Sequence, residues 1–269
     1  MSEPSWDNAA AAPVAARLAA TVLLLREGGR GPEVFMVVRH RAIEFASGAL
    51  VFPGGRVENG DRAVAEAAGL ADLDSATLRI AAIRETFEEC GILLARPEGS
   101  GRLVDAARLR AVEAAHRAAL CRNERGLDSM LAAERLAPAE DALVHFAHWI
   151  TPADRSKRFD THFFAAEAPP DQLGAHDGGE AVDSVWIRPA DVIAQTAEGR
   201  WKLLFPTRLN LLKLARHDTV AAILAAARAE PVVTVQPRVV KTPEGPRLCI
   251  PEAAGYGGSL FPMLDPPAI

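Results

Sequence analysis

Several things are scarce in this chain. Cysteine occurs three times, at positions 90, 121 and 249, with no Cys-x-x-Cys pair. That excludes a disulfide framework, and reduced thiols in a cytoplasmic protein are the expectation. Long apolar runs are missing: residues 18–25 are too few to span a bilayer and are followed by Arg26, so they read as a buried strand. The first residues carry Glu3 and Asp7 where a secretory leader would be basic. Basic surplus is absent as well. Thirty Lys and Arg stand against 35 Asp and Glu, a net charge of −5, which argues against duplex nucleic acid or an anionic membrane as main partner. There is no internal repeat, no His-Glu-x-x-His, and no nucleophile-elbow context around Ser47-Gly48; His145 and His148 lack partners at a metal-binding spacing. What is present is ordinary globular material, 49% hydrophobic and 24% charged over 269 residues, enough to bury a real core.

Residues 1–15 are rich in Ala and Pro and read as a flexible N-terminus. Apolar runs at 18–26 and 34–39 flank Glu-Gly-Gly-Arg-Gly-Pro, which predicts a β-hairpin. A third short strand over 49–52 ends at Pro53-Gly54-Gly55. Helices are predicted at 63–69 and from a cap at Asp74 or Ser75 to Cys90, with Gly91 as stop. Residues 102–136, almost free of Gly and Pro, predict one long helix and a shorter one capped by Ser129. Strands follow at 143–149, 158–165 and 182–187, then a helix opened by Pro189. Helices over 207–217 and 219–229 precede a Pro- and Gly-rich tail with one short strand at 232–236. This mixed order favours an α+β fold over a parallel βαβ series.

The informative stretch is Arg84-Glu85-Thr86-Phe87-Glu88-Glu89-Cys90-Gly91-Ile92. Glu85, Glu88 and Glu89 fall at i, i+3 and i+4, so their carboxylates share one helical face, while Ile80, Ile83, Phe87 and Cys90 form the opposite, buriable face. Three like charges on adjacent turns repel, and a divalent cation would reverse the sign of that interaction. Oxygen-only ligands suit Mg2+ or Mn2+ rather than zinc. Upstream, Phe52-Pro53-Gly54-Gly55 closes an apolar strand with two glycines that let the backbone approach a metal or phosphate.

Together these elements resemble the Nudix box, Gly-x5-Glu-x7-Arg-Glu-U-x-Glu-Glu-x-Gly-U with U a bulky apolar residue. Gly55 stands at its first glycine, and Arg84, Glu85, Glu88, Glu89, Gly91 and Ile92 match its second half, with Thr86 at the first U. Two departures stand out. Asp61 replaces the first glutamate, one methylene shorter, which weakens the case for a salt bridge to Arg84. Residues 62–83 then fill a gap that the family spans with seven residues. The interrupted box, together with Thr151-Pro152, Lys157-Arg-Phe-Asp-Thr-His-Phe-Phe164, Trp186 and Phe205-Pro-Thr207, is similar to the acyl-CoA diphosphatase branch of the Nudix hydrolases, over residues 16–216.

The resemblance implies an α/β/α sandwich with a mixed sheet over residues 16–217. The 102–136 helices would be an insert, and 218–269 a C-terminal helix and extended tail. It implies metal-dependent hydrolysis of a nucleoside diphosphate linked to another moiety, CoA or acyl-CoA giving 3′,5′-ADP and (acyl-)4′-phosphopantetheine. The alternatives are an ADP-ribose or nucleotide-sugar diphosphatase and a non-catalytic Nudix-fold nucleotide sensor. By position, Glu85, Glu88 and Glu89 would hold Mg2+ or Mn2+ with the Gly54 carbonyl. Arg84 would orient a carboxylate, Glu85 is the favoured base, and Glu180 is a further carboxylate candidate. CoA carries a 3′-phosphate, so cations are expected near it; Arg39, Arg41, Lys157 and Arg158 are the candidates, although Glu44 stands where CoA-directed relatives carry a second arginine. The partner implied is a small-molecule nucleotide, and the 102–136 insert would serve as a lid or simply pack on the sheet.

Overall fold

The computed structural model describes residues 14–40, 48–174 and 181–263. The expected hairpin forms from β1 (Arg17–Gly28) and β2 (Gly31–Arg39), antiparallel with Leu25 opposite Val34. Short strands β3 (Leu50–Val51) and β4 (Gly54–Arg56) follow, β4 laid against β1 so that Gly54 faces Thr21. Helices α1 (Asn59–Ala67) and α2 (Leu73–Cys90) come next. Strand β5 (Ala95–Pro97), helices α3 (Ala106–Val112), α4 (Ala118–Cys121) and α5 (Leu127–Glu134), and strand β6 (Leu136–Pro138) follow, β5 pairing with β6. Strands β7 (Val144–Ile150), β8 (Phe159–Glu167) and β9 (Ala181–Ile187) lead to helices α6 (Pro189–Ala197), α7 (Phe205–Leu214) and α8 (Val220–Ala229). The chain closes with β10 (Thr234–Val235), β11 (Arg238–Thr242), β12 (Gly245–Cys249) and β13 (Leu260–Pro262).

The main sheet runs β10-β7-β8-β1-β2-β3, with β4 also on β1 and β9 also on β2. It is mixed: β1 is parallel to β8 and β7 parallel to β10, whereas β1–β2, β2–β9 and β7–β8 are antiparallel. Alternation along the strands splits the apolar residues between two cores. Ala20, Val22, Leu24 and Phe164 join α1, α2 and the insert helices on one face. Leu23, Leu25, Phe163 and Ala165 join α7, α8 and the tail on the other. The result is the expected α/β/α sandwich of the α+β class.

Four local expectations are corrected. The cap of α2 is Asp72 rather than Asp74 or Ser75: it sits at φ +50 and accepts the Ser75 N–H at 3.4 Å. Ser129 lies inside α5, donating its hydroxyl to the Gly126 carbonyl, and Gly126 starts that helix. The predicted long helix is broken by a π-helical turn over Glu113–Arg117, between α3 and α4. The tail is more than one short strand, since β11, β12 and β13 form their own antiparallel sheet. It also feeds the second core: buried Tyr256 accepts the Trp149 indole N–H at 3.0 Å and donates to Asn210 Oδ1 at 2.7 Å.

Candidate active site

The 62–83 insertion folds as a helical hairpin, α1 running out and α2 running back, with Arg62 paired to Asp74 across it at 3.0 Å. The hairpin returns Arg84 to Asp61, 23 residues away. Arg84 Nε donates to Asp61 Oδ1 at 2.9 Å and Nη2 to Oδ2 at 3.1 Å, with Asp61 1% and Arg84 6% exposed. The shorter aspartate therefore pairs with Arg84, the contact its length had put in question. It reaches because α1 holds it from behind, Asp61 Oδ2 also accepting the Glu58 N–H at 2.8 Å in a capping box. The insertion thus leaves the carboxylate face of α2 in place.

That face is built as the periodicity predicts. Ile80, Ile83, Phe87 and Cys90 have no exposed surface, and burying the isoleucine and phenylalanine side chains stabilises by roughly 1.5–3 kcal/mol each. Thr86, where the box has an apolar residue, is also fully buried; its hydroxyl donates to the Ala82 carbonyl at 2.7 Å, so no polar group is stranded. Gly91, at φ +65, ends the helix, its N–H on Phe87 O.

Arg84 is the hub of the acidic group. Its Nη1 donates to Glu85 Oε1 at 2.9 Å and lies 3.6 Å from Glu88 Oε2, and its Nη2 donates to Arg56 O at 2.8 Å. Burial works against the Arg84 charge, but the Asp61 hydrogen bonds and the Glu85 and Glu88 carboxylates outweigh it and raise its pKa. Burial pushes the Glu85 carboxyl up to about 7; Arg84 opposes this and Glu88 adds to it. Glu89 Oε2 accepts the Gly54 N–H at 2.9 Å, fixing the paired-glycine bend against the helix. Space is short at both glycines, and at Gly54 it is backbone that fills it. A side chain on Gly54, at φ +152, would meet the Ala20 carbonyl, and one on Gly55 would occupy the space of the Glu85 carboxylate.

Glu85, Glu88 and Glu89 all border a cleft of about 510 Å³. Arg17, Arg39, Arg56 and Lys157 supply cations to its wall, and Phe52, Trp149, Phe159, Phe163 and Leu204 supply apolar surface. Of the sequence candidates, Arg39 and Lys157 line this cleft. Arg158 does not; it donates to the Thr151, Pro152 and Val14 carbonyls. Arg41 and Glu180 lie outside the described residues. Arg17 and Arg56 went unflagged in the sequence, and only the pairing of Ala19 with Arg56 brings both beside the box. The 102–136 helices pack into the first core and reach the rim of the cleft. Leu109, Val112, Leu120 and Met130 enter the first core, while Cys121 and Asn123 line the cleft. Arg117, from the π-helical turn, anchors the insert by donating to Glu88 O at 3.0 Å.

A family model for the NUDT19 Nudix domain matches residues 68–214, more than half of the chain. The chain belongs to the Nudix hydrolase family. Within the family it groups with the NUDT19-like branch. It is 27% identical over 214 residues to a putative nudix hydrolase 7 of Caenorhabditis elegans, covering 79% of this chain and 61% of that protein. It is 26% identical over 204 residues to the acyl-coenzyme A diphosphatase NUDT19 of Xenopus laevis, covering 60% of this chain and 54% of that one. The match thus takes in little more than half the length of these relatives. The crystal structure of a NUDIX hydrolase from Alicyclobacillus acidocaldarius superposes with a TM-score of 0.67 at 27% identity, covering 78% of this chain and 96% of that chain. This Nudix chain has no helix among its described residues long and apolar enough to cross a membrane.

Proposed function

We propose that the cleft hydrolyses the diphosphate of CoA or an acyl-CoA, releasing 3′,5′-ADP and (acyl-)4′-phosphopantetheine. The observation that carries this reading is the set of three carboxylates, Glu85, Glu88 and Glu89, held side by side on the cleft wall against a glycine bend. Nudix hydrolases generally use divalent metal ions, and the residues here fit one. The donors are all oxygen, and the cost that lifts Glu85 to about 7 is one a bound cation removes. Mg2+ or Mn2+ would be held by Glu85, Glu88 and Glu89, with the Gly54 carbonyl as a further ligand. When bound, the ion supplies neutralisation of the charge developing on the phosphoryl oxygens.

The chain's own groups do the rest. Glu85 takes a proton from the attacking water as its oxygen bonds to one phosphorus. The bridging P–O bond breaks, and the second phosphate leaves with that oxygen. Arg84, fixed by Asp61, holds Glu85 in place for this. Arg17, Arg39, Arg56 and Lys157 match the charge of a diphosphate and a 3′-phosphate, and the apolar wall suits the pantetheine and acyl arm. The name of the Xenopus relative supports the same substrate class.

Turnover of CoA, acyl-CoA, ADP-ribose and dinucleotides with Mg2+ or Mn2+, scored by product mass, tests the reading. The expected products are 3′,5′-ADP and the phosphopantetheine fragment, with Glu89→Gln folded and inactive. Turnover of ADP-ribose with no cleavage of any CoA species overturns the substrate. Full activity in Glu89→Gln overturns the site.

A further inference from the structure

Four side chains on β7 and β8 take no part in the chemistry above. Thr161 and Phe163 line the cleft, so strand alternation sends Asp160 and His162 to the opposite face of the sheet. There His148 of β7 is the register partner of His162, and Asp160 lies two residues before it. The two imidazoles stack with centroids 3.9 Å apart and planes 17° apart. His148 Nε2 lies 2.5 Å from Asp160 Oδ1, and His162 Nε2 lies 3.8 Å from the same oxygen, outside hydrogen-bond distance. The second nitrogen of each ring is engaged elsewhere: His148 Nδ1 with Thr234 Oγ1 of β10 at 2.8 Å, and His162 Nδ1 with His145 Nε2 at 3.1 Å. Both Nε2 atoms therefore converge on one carboxylate while both Nδ1 atoms are held from behind. Outer partners orient metal-ligating histidines in this way. One ligand atom from each of the three groups lies within 4.8 Å of the others.

We propose that His148, Asp160 and His162 form a second metal site, for a divalent transition ion of the zinc class, with water completing the coordination. Two imidazoles and one carboxylate select borderline ions such as Zn2+ or Co2+ over Mg2+, the reverse of the oxygen-only carboxylates on α2. A simple His148–Asp160 hydrogen bond accounts for two of the three groups. It leaves unexplained why a second imidazole is stacked face-on with its Nε2 turned to the same oxygen, a contact that two protonated rings would oppose. The three side chains are 16–30% exposed, open enough for an ion to enter. A bound ion would clasp β7 to β8 and, through Thr234, hold the edge strand β10. Sequence spacing alone concealed the site because its ligands come from two strands. The proposal does not depend on the diphosphatase reading.

The test is a Co2+ titration of the metal-free full chain in excess Mg2+, followed by visible absorption, together with thermal unfolding in Zn2+. The expected result is a d–d spectrum saturating at one equivalent, displaced by Zn2+, and a rise in Tm with Zn2+. Both should vanish in His148→Gln and His162→Gln and survive in Glu89→Gln. Asp160→Asn, nearly isosteric, is the guard against misfolding and should weaken Co2+ at least ~10-fold with native circular dichroism. A natively folded wild type without a Co2+ spectrum overturns the proposal. So does a spectrum that persists in both histidine variants and is lost in Glu89→Gln, which puts the ion on α2.

Discussion

The two clusters of titratable side chains have opposite surpluses. Around α2, four carboxylates, Asp61, Glu85, Glu88 and Glu89, stand beside one arginine. On β7 and β8, His148 and His162 face one carboxylate, Asp160, and a third imidazole, His145, stands behind His162. In each, burial acts first against the group in surplus. Glu85 is pushed up to about 7, while His145 and His162 are pushed down to about 4. A cation relieves the first by charge and suits the second because imidazole nitrogens offer it lone pairs. The difference lies in what fixes the geometry. The acidic group depends on a buried ion pair, whereas the imidazoles are aligned by strand register and ring stacking. A single deletion should therefore damage the two very unequally.

The largest effect is expected at Arg84. Arg84→Ala leaves Asp61 buried without its partner and Glu85 beside Glu88 without a shared cation. Breaking a buried pair in this way costs about 3–5 kcal/mol. Arg84→Lys keeps the charge but cannot reproduce the two-pronged contact with Asp61, so it should fall between. Urea unfolding of the metal-free chain measures both. A cost of about 1 kcal/mol or less for the alanine variant, the value of a surface pair, would show that the hairpin closes without this bond.

The pH dependence of stability separates the clusters next. Glu85 has a folded pKa near 7 against an ordinary 4.5, so its contribution is full at low pH and is lost as pH rises through about 7. His145 and His162 fall from 6.5 to about 4, so their contribution is full above 6.5 and is lost as pH falls through about 4. Between about 4.5 and 6.5 the two trends oppose each other and flatten the wild-type curve. In the metal-free chain Glu85→Gln should therefore gain stability steadily with rising pH over that window. The double variant His145→Gln/His162→Gln should lose it. The slope has a ceiling of about 1.4 kcal/mol per pH unit for each group that titrates. Parallel curves for wild type and Glu85→Gln would mean that Glu85 carries no buried charge.

What the sequence reveals and what it hides follow the same division. The α2 face was legible because Ile80, Ile83, Phe87 and Cys90 repeat with helical period and are fully buried. The hairpin was legible because its turn residues bracket two apolar runs. Contacts made across distance were not. The Asp61–Arg84 pair depends on a helical hairpin that turns back on itself, and Asp72 caps α2 from a left-handed conformation that propensity does not anticipate. Arg158 and Lys157 are adjacent in sequence, and only their placement decides that the lysine faces the cleft while the arginine binds carbonyls. The three-stranded tail was hidden because its pairing partners lie within a Pro- and Gly-rich stretch.

The smallest effect bears on whether the clusters are electrically separate, because α2 carries an arginine near each. Arg79, one turn and a half before Arg84, lies over the Phe164 ring at 5.6 Å and pairs with Glu140 at 3.6 Å. His145 packs on the same ring, with centroids 5.3 Å apart. Burial and His148 lower the His145 pKa most, and Arg79 adds a third push in the same direction. Arg79→Gln removes only that push. The His145 pKa, followed by NMR of its ring protons, should rise by roughly a few tenths of a unit. Glu85, whose nearest cation is Arg84, should titrate as before. An equal shift at both groups would make α2 a single electrostatic unit. No shift at His145 would leave burial and the stacked imidazoles to account for its neutrality alone.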